Sequence, residues 1–219
     1  MKIFPITCVD NFYKDPDKIR EYALSLEFFP STGHFPGKRT KNLSEIDPVF
    51  FNEFTSKLSE VYVDISVSSA RYEIDTCFQL IDTQDEDPNS LKNIGWIHCD
   101  LGYLLAGIIY LNPEIDSTCG TSIFKLVEDT ICGDDIKGKF YRDRIDDNYD
   151  STLLKNNSGF KETVRFSNEY NRMITFDYSE FHAANYFYSK TQRLTQVFFF
   201  KDIQSDSVPP IVRLNRHKL

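Results

Sequence analysis

Gly95-Trp96-Ile97-His98-Cys99-Asp100, followed by the apolar run Leu104-Leu105-Ala106-Gly107-Ile108-Ile109-Tyr110-Leu111-Asn112-Pro113, decides how this chain is read. Along an extended strand, side chains alternate between faces, so His98 and Asp100 point the same way and Cys99 the other. An imidazole and a carboxylate on one face can hold two adjacent positions on a metal. A third ligand from elsewhere would complete a facial two-histidine, one-carboxylate set with open positions for substrates. The run that follows shows no alternation, which predicts a strand covered on both faces, ended by Asn112-Pro113.

Working outward, His-x-Asp alone is a weak signal and needs context. That context is His182 and the segment Arg193-Leu194-Thr195-Gln196-Val197-Phe198-Phe199-Phe200, read as a strand with Arg193 and Thr195 on one face. A planar guanidinium with a hydroxyl beside it suits a buried carboxylate, gripped by two parallel hydrogen bonds. A carboxylate such as Asp100 facing a barrel interior is costly unless paired or metal-bound. If the inward face of the 104–111 strand includes Ala106, Ile108 and Tyr110, the Tyr110 hydroxyl could reach the same carboxylate as Arg193. Equally, it could be a core tyrosine bonded to backbone.

On these residues the sequence resembles the Fe(II)/2-oxoglutarate-dependent oxygenases, most closely the prolyl-hydroxylase-like branch. It also looks similar to uncharacterised members found in phage and marine bacterial genomes. The resemblance rests on His98-Cys99-Asp100, Tyr110-Leu111-Asn112, Gly120-Thr121-Ser122-Ile123-Phe124, Arg172 to Asp177 leading to His182, and Arg193-Leu194-Thr195. It covers roughly residues 70 to 202, in the order that family's fold requires. The family usually has two adjacent glycines where this chain has Cys119-Gly120, and often Gly at Asn171. One glycine still permits close backbone approach, and Asn tolerates a left-handed turn.

The resemblance implies a mainly β fold with flanking helices: a double-stranded β-helix, a cupin-like jelly roll. It also implies Fe(II) held by His98, Asp100 and His182. The co-substrate 2-oxoglutarate would chelate that metal, with its far carboxylate clamped by Arg193, Thr195 and, in the family's manner, Tyr110. With O2, such enzymes form succinate and CO2 while oxidising a substrate C–H bond. The substrate is open between a peptide or protein side chain and a small molecule, and oligomeric state is not legible. Two other classes stand beside this one: a cupin-type metalloprotein with non-oxygenase chemistry, and a non-catalytic binding protein. Arg193-x-Thr195 favours the oxygenase, since a cupin has no standing need for that pair.

The 219 residues suit a single domain of the barrel or sandwich kind. Nineteen Phe and twelve Tyr favour a β-rich core. The net charge of −8 argues against a nucleic-acid partner. No run is long and apolar enough for a membrane helix, and no basic-then-apolar leader opens the chain. Five cysteines without a C-x-x-C pair predict reduced thiols and a cytoplasmic setting.

Residues 1–65 are expected to brace the barrel. Asp15-Pro16 and Asp47-Pro48 are helix starts, and Ile19, Tyr22, Ala23 and Leu26, then Phe50, Phe51, Phe54, Leu58 and Val61, form apolar faces. Ser31 to Thr40 reads as a loop, with His34 solvated in it. Residues 66–202 are the expected core, with strands over Ser66–Asp75, Thr76–Thr83, around His98, over Gly120–Val127 and over Asn171–Asp177. The acidic stretch 83–92 reads as a wet rim without chemistry. Residues 128–170 read as a long polar insertion, either a lid over the pocket, with Tyr141, Arg142 and Arg144 as substrate contacts, or a surface excursion. Eleven positions separate His182 from Arg193, which predicts neighbouring strands of one wall. The tail 203–219 reads as a strap or loose end, with His217 solvated.

Overall fold

The computed structural model describes residues 4–62, 70–114 and 116–205. The tail beyond 205, with His217, and the expected strand start at Ser66 lie outside them.

The N-terminal part forms as its punctuation predicts. After β1 (Thr7–Val9), the Asp15 carboxylate accepts from Lys18 N and Pro16 opens α1 (Pro16–Ser25). Asp47 Oδ1 likewise accepts from Phe50 N at 2.9 Å where Pro48 starts α3 (Pro48–Tyr62), just after the short α2 (Leu43–Ile46). Both starts use a carboxylate to satisfy an orphan helix amide, with proline where no amide is needed. The stretch expected as a loop, 31–40, instead contains one arm of a short hairpin, β2 (Phe29–Pro30) with β3 (Lys38–Arg39). Two residues per arm are too few to leave a periodic signature.

The expected strands Ser66–Asp75 and Thr76–Thr83 prove to be one, β4 (Ala70–Ile81). The polar Glu73, Asp75 and Thr76 break the apolar pattern without breaking the ladder. Along β10 (Arg193–Ser205), twelve residue pairs join it to β4, from Arg193↔Ile81 to Ser205↔Ala70, with one bulge after Phe200. On its other edge β10 pairs with β5 (Leu105–Tyr110), and β5 with β8 (Met173–Asp177). Among the described residues the larger sheet has seven antiparallel strands in the order β1-β8-β5-β10-β4-β3-β2. The smaller holds β7 (Phe160–Phe166), β6 (Thr121–Leu126) and β9 (Phe181–Ala184), in the order β7-β6-β9.

Alternation along β10 divides the interior. Leu194, Phe198 and Phe200 turn to the helices, in a core with Ala23, Phe54, Leu58, Phe78, Ile109 and Met173. Val197 and Phe199 share the opposite parity with Arg193 and Thr195 and face the smaller sheet, where Ala106, Tyr110, Ile123, Ile174 and Phe176 pack between the sheets. Of the expected helix faces only Val61 departs, at 38% exposure.

The segment 128–170 is folded. It forms α4 (Asp134–Asp143), α5 (Tyr149–Ser158) and β7, and β7 pairs with β6 from Thr121↔Phe166 to Leu126↔Phe160. Its apolar residues are sparse but placed to meet: Phe140, Tyr149 and Leu153 enclose Trp96.

The candidate metal centre and its cavity

The segment 95–100 is not a strand. One bridge ties it to β9, with His98 N donating to His182 O at 3.1 Å and His182 N donating to His98 O at 2.8 Å. Gly95 N donates to Ala184 O, and a Cβ on Gly95 would lie 2.1 Å from that oxygen, so only glycine fits. On its other side the segment meets α5 instead of a strand. Asn157 Nδ2 donates to Gly95 O, Ile97 N donates to Asn157 Oδ1, and Asn156 Nδ2 donates to Ile97 O, all at 3.0–3.1 Å. The asparagine amides replace the missing strand partner, which is why alternating residues here do not form a ladder.

The bridge sets the two histidines side by side, ring centroids 4.5 Å apart. His98 Nδ1 lies 2.8 Å from Trp96 O, and His182 Nδ1 lies 3.1 Å from Glu180 O. A carbonyl only accepts, so in each neutral ring Nδ1 carries the proton and Nε2 keeps its lone pair. Both Nε2 atoms turn to Asp100: His98 Nε2 is 3.8 Å from Oδ1 and His182 Nε2 is 3.4 Å from Oδ2. One ligand atom from each residue falls within a cluster spanning no more than 4.8 Å. Enclosure by protein, reinforced by His182, holds the His98 pKa well below the ordinary histidine value, against the opposing pull of Asp100. Two imidazoles and a carboxylate, each ring oriented through its second nitrogen, are a donor set that could hold a divalent first-row metal.

These side chains line a cavity of about 420 Å³ between the sheets. Arg193 lines it too, although not as the spacing to His182 predicts. His182 stands on β9 of the smaller sheet and Arg193 on β10 of the larger, because residues 185–192 cross from one to the other. The two face each other across the interior instead of sharing a wall. Arg193 is only 4% exposed; Nε donates to Cys119 O at 3.2 Å, and Nη2 is buried without a partner among the described residues. Two strand positions on, Thr195 is fully buried and its Oγ1 is also unpartnered. The Tyr110 hydroxyl is engaged, donating to Thr121 Oγ1 at 2.8 Å, while the Arg193 guanidinium lies 5.5 Å from its ring centre.

His34, read as solvated, is exposed but sits on the cavity rim. Tyr141 lines the cavity, whereas Arg142 pairs with Asp143 at the surface and Arg144 donates to Gln84 at 2.6 Å. Sequence reasoning missed Arg39, Gln79 and Lys137, which also line it. Lys137 could have been suspected from the polar helix it stands on, but Arg39 and Gln79 carried no signal.

A family model matches residues 2–194, and its description is "Family of unknown function (DUF6445)". The chain belongs to this family. No curated protein matches the sequence. Among solved structures, this family member is similar to a prolyl hydroxylase from Trichoplax adhaerens in complex with a hypoxia inducible factor peptide fragment. The TM-score is 0.55 at 12% identity, over 97% of this chain and 87% of that one. It is similar to the epimerase SnoN in complex with Fe3+, alpha ketoglutarate and nogalamycin RO, with TM-score 0.56 at 10% identity over 94% and 83%. It is also similar to HygX from Streptomyces hygroscopicus with nickel, 2-oxoglutarate and hygromycin B bound, with TM-score 0.54 at 13% identity over 90% and 83%. At these identities the likeness establishes the fold, a double-stranded β-helix of the jelly-roll kind whose sheets do not close into a barrel. No helix of the described residues is long and apolar enough to cross a membrane, and all five cysteines are free thiols.

Proposed function

We propose that the protein is an Fe(II)- and 2-oxoglutarate-dependent dioxygenase of the prolyl-hydroxylase-like kind. It would hydroxylate a C–H bond of a small molecule or a peptide side chain and release succinate and CO2. One observation carries this reading. Two histidines and an aspartate converge on a cavity that is also lined by a buried arginine short of a partner among the described residues. A guanidinium taken out of water without an anion costs several kcal/mol, so the site fits a molecule with a carboxylate at the arginine. A keto acid that chelates a metal with one end and presents a carboxylate at the other has that shape. Nickel and 2-oxoglutarate in HygX, and Fe3+ and alpha ketoglutarate in SnoN, support the same pair here.

His98, Asp100 and His182 would hold the metal, and Trp96 O and Glu180 O would keep both imidazoles oriented for it. Arg193 would bind the far carboxylate of the co-substrate, with the unpartnered Thr195 hydroxyl as the second donor. Tyr110 would act through Thr121, the cavity residue to which it donates. The iron, with 2-oxoglutarate and O2, supplies the oxidising chemistry, and the protein supplies position and exclusion of water. The free thiols support a reducing, cytoplasmic setting.

The test is anaerobic visible absorption of the protein titrated with Fe(II) and then 2-oxoglutarate, beside Asp100→Ala. A metal-to-keto-acid charge-transfer band in the wild type, absent from the variant, is expected. Tight metal binding without a band would overturn the oxygenase reading in favour of a cupin-type metalloprotein. Stable folding with no metal affinity would favour a binding protein without catalysis.

A further inference from the structure

Arg39 stands on β3, in register with Gln79 of β4; Gln79 is in register with Thr195 of β10, and Thr195 with Tyr110 of β5. The four form one polar row across the larger sheet, on the face turned to the smaller one. Arg39 occupies the outer end of this row and lines the cavity. Its guanidinium is locked in place. Nε and Nη2 donate to Gln79 Oε1 at 3.3 and 3.1 Å, and the ring of Phe35 lies 4.0 Å away. Gln79 Nε2 donates to Pro36 O at 2.7 Å, which fixes its oxygen toward Arg39. Among the described residues no carboxylate pairs with Arg39, although the chain carries 33 acidic residues. Its one polar partner is a neutral amide. Burial pushes its pKa down, yet a guanidinium stays charged. Near it the cavity is aromatic: the ring of Phe35 stacks on it, and those of Phe199 and Tyr103 lie 4.8 Å apart.

We propose that Arg39 is the substrate-recognition residue of this cavity, and that the substrate carries an anionic oxygen group, such as a carboxylate, on an apolar body. This rests on the oxygenase reading for the word substrate, though not for the anion site itself. Charge balance points the same way. A divalent metal with Asp100, and Arg193 with a dianionic keto acid, sum to zero, and Lys137 is balanced by Asp134 at 2.8 Å. On that reading Asp100, whose charge also reaches Arg39, is taken up by the metal, and Arg39 is the positive charge left for the second reactant. A preformed guanidinium braced by an aromatic ring and an amide is the arrangement that receives an oxyanion by two parallel bonds.

Isothermal titration of the full-length protein tests this, with Mn(II) and saturating 2-oxoglutarate present and again with neither. The probes are cyclohexanecarboxylate, its neutral amide, and the blocked peptide acetyl-Ala-Glu-Ala-amide. The wild type is expected to favour a carboxylate over the amide by about tenfold or more. Arg39→Gln should lose that preference while binding 2-oxoglutarate as the wild type does. Arg39→Lys, which keeps the charge and lacks the fork, should keep part of it, separating charge from folding. Binding of the free acid assigns a small-molecule source, and binding of only the peptide assigns an acidic side chain. Equal binding of acid and amide, no binding of any probe, or preference retained in Arg39→Gln would overturn the proposal. So would loss of 2-oxoglutarate binding in Arg39→Gln, which would make Arg39 the co-substrate anchor. If the wild type binds no 2-oxoglutarate, the oxygenase reading falls, and the metal-free titrations still decide whether Arg39 binds an anion.

Discussion

Arg193 is held where a folded protein has little reason to hold it. Its side chain is buried, one terminal nitrogen has no acceptor, and it approaches an aromatic ring and a carbonyl instead of an acid. Replacing a buried charge with an apolar group of similar length is often neutral or stabilising. Arg193→Met is therefore expected to leave the melting temperature of the ligand-free protein unchanged or higher. On the proposed function, 2-oxoglutarate should raise the melting temperature of the metal-loaded wild type and leave that of the variant unchanged, since a ligand stabilises only the state that binds it. Thermal scans with and without 2-oxoglutarate check both halves. A fall of several degrees in the ligand-free variant would mean that Arg193 is structural. Asn171 is a residue whose role was legible from its type. It adopts φ 64°, the left-handed conformation its residue type tolerates, in a turn that moves the start of the strand expected from Asn171 to Met173, and its side chain accepts from Tyr13 N and donates to Tyr13 O, both at 2.8 Å.

Among the elements, α5 does what its sequence least advertised. Asn156-Asn157-Ser158-Gly159 looks like a polar loop, because nothing local shows that two amides will meet backbone some sixty positions away. The signals that could be read were those whose partners lie within a turn: the carboxylate caps at Asp15 and Asp47, the prolines after them, the covered run of β5. Pairing between distant segments left weaker marks. Arg39 lies on a two-residue strand whose place depends on Gln79, and His98 is fixed by one bridge to His182. His98 and Asp100 were thus expected together on a strand that does not form; they do converge, but what sets them is a loop clamped between β9 and α5. Asn157→Ala removes a donor and an acceptor and leaves Ile97 N and Gly95 O without their partners. A loss of about 1–3 kcal/mol is expected from such unpaired backbone groups. Because the clamped segment carries His98, metal affinity should fall as well. Denaturant unfolding and metal titration of the one variant measure both effects, and weakened stability with unchanged metal affinity would show that β9 alone positions His98.

At the scale of the whole molecule, the larger sheet divides two tasks. Its helix side holds the main core, where Phe54 of α3 is 2% exposed and meets Phe198 of β10 edge-on, ring centres 5.5 Å apart. Its other side holds the cavity, to which the same strand sends Arg193 and Val197. Strand alternation keeps the two apart, so a defect on one side need not reach the other. Phe54→Ala opens a void under α3, for which a cost of about 3–5 kcal/mol is expected. In a chain of this size that corresponds to a fall in melting temperature of roughly 10 °C. Substitutions at separated sites act nearly independently. Metal and 2-oxoglutarate affinities, measured well below the lowered melting temperature, should therefore match the wild type within about twofold. Concordant loss of stability and ligand affinity would show instead that β10 transmits strain between its faces, and that the helices shape the cavity as well as brace it.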